Sequence, residues 1–394
     1  MFKDHRAPAP DPILGVMQAF AEDARDGKID LGVGVYRTAD GRTPVMRAVK
    51  AAERTLLDTQ ETKGYVALSG DPAFHAAMRG LVLGGVIPSD RVAALATPGG
   101  TGAVRQAFEL VRRVRPDATV WTPSPTWPNH LAILDGVGMR RRSYRHYDAS
   151  SGGLDREGMQ ADLEGVAAGD LVLLHGCCHN PTGADLALED WRDIALLLAE
   201  RGAVPMVDLA YLGFSDGLEQ DAVGLRLIAA ALPEMLVAIS GSKNFGLYRE
   251  RVGLVLALCD GPKAAAAVRG TLAWLNRQSY AFPPDHGARV VTTILTDPAL
   301  RTQWEEELTE MRERIDSMRR GLADALREAS GSDRFGHLAG HRGMFSLLPA
   351  TPEQVETLRR EHALYMIGDG RINVAGLTPE TLAPAARAIA AVLR

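Results

Sequence analysis

An α/β fold on a mainly parallel sheet is predicted by three features of the 394-residue sequence. Short apolar runs alternate with stretches of helical periodicity through the middle of the chain. Several of those runs are apolar throughout, as strands covered on both faces must be. Glycine supplies 40 residues, above the usual ~7%, and such an excess serves tight turns between strands and helices.

In chain order the expected strands are Val92–Thr97, Ala118–Thr122, Met139–Tyr144, Leu171–Leu174, Val204–Asp208, Leu236–Ser240 and Val252–Leu258. Helical spacing fills Gly102–Val114, Leu188–Arg201 and Gly224–Ala231 between them. The pattern changes after Asp297. A long charged helix is expected over Pro298–Ser330, then short strands near Met344–Leu348 and Arg371–Val374, with helices at Pro352–Glu361 and Pro379–Leu393. The reading is a large domain over residues 45–310. A smaller α+β domain takes residues 1–44 and 311–394.

Composition narrows the function classes. Apolar residues make up 46% and charged residues 24%, ordinary globular values that exclude a disordered or collagenous chain. A net charge of −5 calls for neither nucleic acid nor an anionic membrane as partner. Three cysteines, two of them adjacent (Cys177, Cys178, Cys259), make no disulfide framework. The N-terminal segment lacks the apolar core of a signal peptide, and no apolar run reaches the ~20 residues of a membrane span. A soluble protein of the reducing cytoplasm is expected.

Ligands of open α/β sheets bind beyond the carboxyl ends of the strands, and polar residues collect there. Gly99-Gly100-Thr101-Gly102 follows the first strand and enters a helix, where amides can face an anion. Taken alone it is equally a tight turn, and it is neither a dinucleotide fingerprint nor a Walker A loop. Ser240, Ser242, Lys243 and Arg251 lie within twelve residues. The hydroxyls and the guanidinium suit a phosphate. The lysine suits a Schiff base with an aldehyde. Asp208 ends an apolar run, where a carboxylate needs a partner. A protonated pyridine nitrogen is one, and a helix N-terminus capped by Asp208 is another. Trp127 can stack on a ring, and Tyr211 and Asn180 can donate to one. His175, Cys177, Cys178 and His179 offer metal-ligand atoms, but their spacing suits no zinc site, and no metal is expected. All of these positions fall at strand ends of one sheet, and that coincidence points to a phosphorylated pyridine aldehyde.

Four segments carry a closer resemblance: Ser240–Arg251 (Ser-Gly-Ser-Lys-Asn-Phe-Gly-Leu-Tyr-Arg-Glu-Arg), His179–Gly183 (His-Asn-Pro-Thr-Gly), Asp208–Phe214 and Gly370–Gly376. They resemble the class I pyridoxal-phosphate aminotransferases of the aspartate and aromatic-amino-acid subgroup. The likeness runs from about Asp30 to the C-terminus. Asn276–Pro284 is most similar to the bacterial aromatic-amino-acid enzymes. The resemblance implies the fold-type I architecture and a homodimer with shared active sites. Lys243 would hold pyridoxal 5′-phosphate covalently and, once freed, carry the proton from the substrate Cα. Asp208 would pair with the pyridinium nitrogen, supported by His175. Tyr211 and Asn180 would bond the ring oxygen, and Trp127 would stack on the ring. Gly100, Thr101, Ser240, Ser242 and Arg251 would hold the phosphate, joined by Tyr65 of the neighbouring subunit. Arg371 would bind the substrate carboxylate, with Gly34, Phe345, Trp127 and Asn180 around it. Arg277 of the neighbour would take a distal carboxylate.

The expected reaction is transamination between an aromatic amino acid or aspartate and 2-oxoglutarate. The alternative is an aspartate aminotransferase with little aromatic activity. Phe282 stands where aspartate-selective relatives usually carry Asn, and Leu212 replaces a common Gln. Both make the pocket region more apolar. Other pyridoxal-phosphate reactions would not require Arg277. A transcription regulator on this fold would need an added helix-turn-helix unit and a basic patch.

Overall fold

The computed structural model describes residues 2–3, 5–6 and 12–393. The chain forms two compact units: Pro44–Glu313, and the segment up to Thr43 together with Arg314 onward. The Pro298–Ser330 helix contains the second boundary.

The larger unit is built on a seven-stranded sheet. Its strands are β1 (Val92–Pro98), β2 (Thr119–Ser124), β3 (Arg140–Arg145), β4 (Leu171–His175), β5 (Val204–Leu209), β6 (Met235–Ser240) and β7 (Val252–Leu258). Their spatial order is β1-β7-β6-β5-β4-β2-β3. All neighbouring pairs are parallel except the two that β7 makes with β1 and β6. Every residue of β6 and β7 is buried, which explains their unbroken apolar sequences. At the edge, β3 is different: Arg140, Arg141 and Arg145 are exposed and pair with Asp117, Asp135 and Asp162. Charge on an edge strand discourages pairing with another chain.

All seven strands lie within about two residues of their expected positions. Helix starts differ more. The first sheet helix begins at Gly99 rather than Gly102, so the glycine turn is itself the first helical turn. Another begins at Leu218, six residues before Gly224. Its start is set by Asp221, whose carboxylate accepts from the backbone N–H of Gly213, Ser215, Asp216 and Gly217. Helices at Arg47–Thr59, Pro72–Leu83, Pro128–Val137, Arg156–Leu163, Leu188–Arg201, Pro262–Ser279 and His286–Thr296 complete this unit.

In the smaller unit, Phe345–Leu347 pairs antiparallel with Arg371–Asn373, placing Phe345 opposite Asn373. Ile29–Asp30 pairs parallel with Leu364–Tyr365. The helices Pro352–His362 and Pro379–Val392 both begin with a threonine capping box, at Thr351 and Thr378. No helix among the described residues is long and apolar enough to cross a membrane.

Two glycines in the larger unit are expected to respond oppositely to a methyl group. A Cβ on Gly253, in β7, would run into the backbone of Gly99, with the Gly99 Cα at 2.8 Å. Gly253→Ala should destabilise by about 1–3 kcal/mol through overpacking. Gly270 lies in a helix with nothing within 4 Å of such a Cβ. Gly270→Ala should stabilise by about 0.4–1 kcal/mol. Thermal unfolding of the two variants beside wild type checks both signs.

Candidate active site

One end of the sheet gathers the polar residues. The loops after β1, β2, β4, β5 and β6 leave the carboxyl ends of parallel strands, and antiparallel β7 enters at the same end. Gly99–Thr101, Thr126–His130, His175–Asn180, Asp208–Tyr211, Ser240–Lys243 and Arg251 therefore share that edge.

Backbone and side chains close tightly at the β1 and β7 corner. Gly99 has φ +73°, its N–H donates to the Arg251 carbonyl at 2.7 Å, and the Arg251 Cζ lies 2.8 Å from where a Gly99 Cβ would be. A Cβ on Gly100 would come within 2.8 Å of the Ser240 Cβ. Arg251 itself holds φ +53°, a conformation that costs a side-chain-bearing residue about 1–2 kcal/mol. Its Nη1 donates to the Ser242 hydroxyl at 3.4 Å and to the Tyr248 carbonyl at 3.1 Å. The Ser242 N–H donates to Ser240 Oγ at 3.2 Å. A guanidinium, two hydroxyls and the first amides of a helix thus converge, with Thr101 in that helical turn. The set is a cradle for a small dianion.

Asp208 lies inside β5 and caps no helix; the next helix starts at Leu218, with Gly217 before it. The carboxylate has a different partner: the His130 Nε2 donates to Oδ2 at 2.9 Å. The His130 side chain is fully buried and that of Asp208 is 11% exposed. Behind the pair runs a chain of hydrogen bonds whose direction is fixed. The Asn180 N–H donates to His175 Nδ1 at 3.3 Å, so the neutral ring carries its proton on Nε2. That N–H donates to Thr126 Oγ1 at 3.1 Å, and the hydroxyl donates to His130 Nδ1 at 2.9 Å. His130 is then left with Nε2–H facing Asp208. Burial, with His130 and His146 nearby, holds His175 well below its ordinary pKa.

The imidazoles also stack. His175 lies on His179 (ring centroids 4.2 Å apart), and His179 on His146 (3.8 Å). Burial pushes the His146 pKa down to about 4. Trp127 meets His130 edge-on at 5.1 Å. The 178–185 loop is pinned by Asp185, which accepts from the N–H of Cys178 and of His179 at 2.7 Å each. Cys177, Cys178 and Cys259 are buried free thiols. Among the described residues no group of three or more His, Cys, Asp or Glu is placed to hold a metal ion. Lys243 is half-buried, its Nζ 4.8 Å from the centroid of the Tyr211 ring.

Two further groups form elsewhere. Tyr65, 88% exposed, stacks on Phe282 at 4.5 Å, and the Arg277 guanidinium lies 5.9 Å from the same ring centroid. Within the smaller unit, Arg371 is buried, 4.6 Å from the Phe345 ring centroid, and donates to the Gly32 carbonyl at 3.2 Å. Gly34 passes close by, since a Cβ there would come 2.9 Å from Phe345 Cζ. The Asn373 amide holds this loop through the carbonyls of Val33 and Val35.

His130 and Thr126 were not assigned a role from the sequence. His130 lies only six residues past the end of β2, and its position at a strand end was the available signal. Its partner, 78 residues away, was not readable.

Residues 26–389 match the family model described as aminotransferase class I and II. The aromatic-amino-acid aminotransferase of Paracoccus denitrificans is 55% identical, over 97% of either chain. The aspartate aminotransferase of Salmonella typhi is 44% identical over 100% of both. The crystal structure of the aromatic-amino-acid aminotransferase from Burkholderia pseudomallei, covalently bound to pyridoxal phosphate, superposes with a TM-score of 0.97 at 40% identity, covering both chains fully. With most of its length matched and these relatives alike from end to end, the chain belongs to the class I and II aminotransferases.

Proposed function

We propose that the protein catalyses pyridoxal-phosphate-dependent transamination between an aromatic amino acid or aspartate and 2-oxoglutarate. One observation carries the reading: Lys243, the Asp208–His130 pair and a dianion cradle stand at the same edge of one sheet. The cofactor fits these residues. The cradle needs glycines because added Cβ atoms at 99 and 100 would meet Arg251 and Ser240. The carboxylate that would face a pyridinium has one oxygen bonded to His130 and a second oxygen for the ring nitrogen.

In this reading Gly100, Thr101, Ser240, Ser242 and Arg251 hold the phosphate. Trp127 covers the ring, and Tyr211 and Asn180 bond its oxygen. When bound, the cofactor supplies an aldehyde carbon for the amine and a protonated ring that withdraws the electron pair left on the substrate Cα. Asp208 holds the proton on the ring nitrogen. His130 stabilises Asp208 as a carboxylate, and His175 orients His130 through Thr126. Lys243 would hold the cofactor through its Nζ, and the same amine would supply the base for the substrate Cα proton. Arg371, beside Phe345 and Gly34, takes the α-carboxylate. The protein acts as a homodimer, with Tyr65 and Arg277 completing the partner's site. Three free buried thiols fit a reducing cytoplasm.

Lys243→Ala should bind the cofactor without a covalent link and lose at least the ~10²–10⁴-fold contribution of acid–base catalysis. Visible absorbance and turnover test this; near-normal turnover would remove Lys243 from the mechanism. His130→Phe keeps a ring but removes the donor to Asp208. It should weaken cofactor binding by about 1.5–3 kcal/mol, the value of a hydrogen bond to a charged group, and slow the half-reaction with amino acid. Equilibrium dialysis and stopped-flow absorbance read both, and an unchanged half-reaction contradicts the role given to the pair.

Substrate range is tested with a panel of donors against 2-oxoglutarate. Arg277→Ala should cut kcat/KM for aspartate by about 10–150-fold, as expected for one lost charged hydrogen bond, and largely spare phenylalanine. Equal losses, or no wild-type activity with aromatic donors, would leave an aspartate aminotransferase.

A further inference from the structure

The Pro298–Ser330 helix carries an apolar stripe in its second half: Ile315, Leu322 and Leu326 are buried at helical spacing. Arg319 stands in the middle of that stripe and is itself only 1% exposed. A guanidinium is an expensive side chain to bury, and the cofactor and substrate contacts proposed above make no use of it.

Its donors are directed at one short segment of the smaller unit. Nη1 donates to the Ser346 hydroxyl, and Nη2 donates to the carbonyls of Gly343 and, at 3.2 Å, of Phe345. The Ser346 Oγ also lies 3.2 Å from His341 Nδ1. One buried side chain thus grips the strand Phe345–Leu347 and the turn that leads into it.

The strand register shows what lies on the far side of that grip. Phe345 stands opposite Asn373 and Leu347 opposite Arg371. Phe345, Arg371 and Asn373 therefore share one face of the two-stranded ribbon, and Ser346 points to the other face, where Arg319 lies. The Val374 N–H donates to the Met344 carbonyl and the Leu348 N–H to the Gly370 carbonyl. Alternation between these ladder bonds turns the Phe345 carbonyl away from the partner strand, and Arg319 donates to it there. On the front face the Phe345 ring centroid lies 4.6 Å from the Arg371 guanidinium, and a Cβ on Gly34 would come 2.9 Å from the Phe345 Cζ.

We propose that Arg319 is a positioning residue for the α-carboxylate site. From behind the ribbon it fixes the Phe345 backbone, and the Phe345 ring in turn fixes the Arg371 guanidinium. The proposal rests on the assignment of Arg371 to the α-carboxylate. Every amino acid and 2-oxo acid carries that group, so Arg319 serves all substrates alike and has no part in holding the cofactor. This also accounts for a cation in an apolar stripe. An apolar side chain would fill the space, but it would offer no donor to Gly343, Phe345 or Ser346.

The test uses the holoenzyme and 3-phenylpropionate, an unreactive monocarboxylate, with Kd read from the cofactor absorbance. Arg319→Met keeps most of the side-chain length and removes the donors. It should raise the 3-phenylpropionate Kd, and the KM of aspartate and of phenylalanine together, about 10- to 100-fold, as for a binding group misplaced by about 1 Å. The kcat should change less and the cofactor Kd should stay at the wild-type value. Arg319→Lys, which restores one donor group, should fall between Met and wild type. Ser346→Ala removes one acceptor and leaves the arginine, and it should raise the same quantities about two- to tenfold. A wild-type Kd and KM in Arg319→Met, or a parallel loss of cofactor affinity, overturns the positioning role whatever happens to the unfolding temperature. If Arg319→Met does not fold, Ser346→Ala decides, and an unchanged Kd there overturns the role. Arg371→Met separates the two levels. If it leaves 3-phenylpropionate binding intact, the α-carboxylate assignment fails and the positioning role with it. If it abolishes binding while Arg319→Met and Ser346→Ala change nothing, only the positioning role fails.

Discussion

Asp208 and His130 are joined by a 2.9 Å hydrogen bond, and much of the site's arrangement follows from supplying that carboxylate with a donor inside a sheet. An isolated charge there would cost several kcal/mol or take up a proton. The fold answers with the Nε2–H of His130. The residues of the chain come from three consecutive strands of the sheet, β5, β4 and β2. His175 is the register neighbour of Asp208, and Thr126 and His130 follow β2. Because the Asn180 amide commits the His175 tautomer, each later link has one direction only. Burial keeps His175 from charging, so its Nε2–H is committed to Thr126 along the line that leads to Asp208.

The anion corner depends on the same sheet for a different reason. β7 runs antiparallel between β1 and β6, and this delivers Arg251 to the edge where the parallel strands end. Close approach of β7 to the Gly99 turn requires Gly253, because any side chain there would occupy the Gly99 backbone. Three glycines at 99, 100 and 253 thus let a helix N-terminus, a guanidinium and two serines meet in one place. Removing the side chains of the turn makes the room that an anion uses.

The strands were legible because strands buried on both faces leave continuous apolar runs, and the strand ends then located Asp208, Lys243 and Arg251. Helix starts were less legible. Leu218 begins a helix through backbone hydrogen bonds to Asp221, three residues inside it, whereas the apolar periodicity becomes regular only later. Asp208 shows the limit more clearly. A carboxylate after an apolar run can cap a helix or serve a cation, and the sequence left both open. The distinction is made by His130, which shares no local pattern with Asp208. Short motifs such as Ser240–Arg251 are legible since their members act within one turn of chain. A relay across three strands is assembled only by the fold.

The two arginines proposed to meet substrate carboxylates differ in how firmly they are held. Arg371 is buried in a short strand, packed on Phe345, and bonded to the Gly32 carbonyl. Its side-chain entropy, about 1.5–2 kcal/mol for a long cationic side chain, is already lost before a ligand arrives. Arg277 stands at a helix end, exposed in the single chain, with the Phe282 ring 5.9 Å from its guanidinium as its neighbour. The contrast matches what each is asked to bind. Every amino acid and 2-oxo acid carries the α-carboxylate, so a fixed partner costs nothing in range and gains affinity by preorganisation. Only some carry a second one. A guanidinium fixed in place for it would be left buried and unpaired beneath an aromatic ring, at a cost of several kcal/mol. A loosely held cation avoids that cost and accepts weaker binding of the diacid in exchange, and this is the compromise expected of a site that serves both classes.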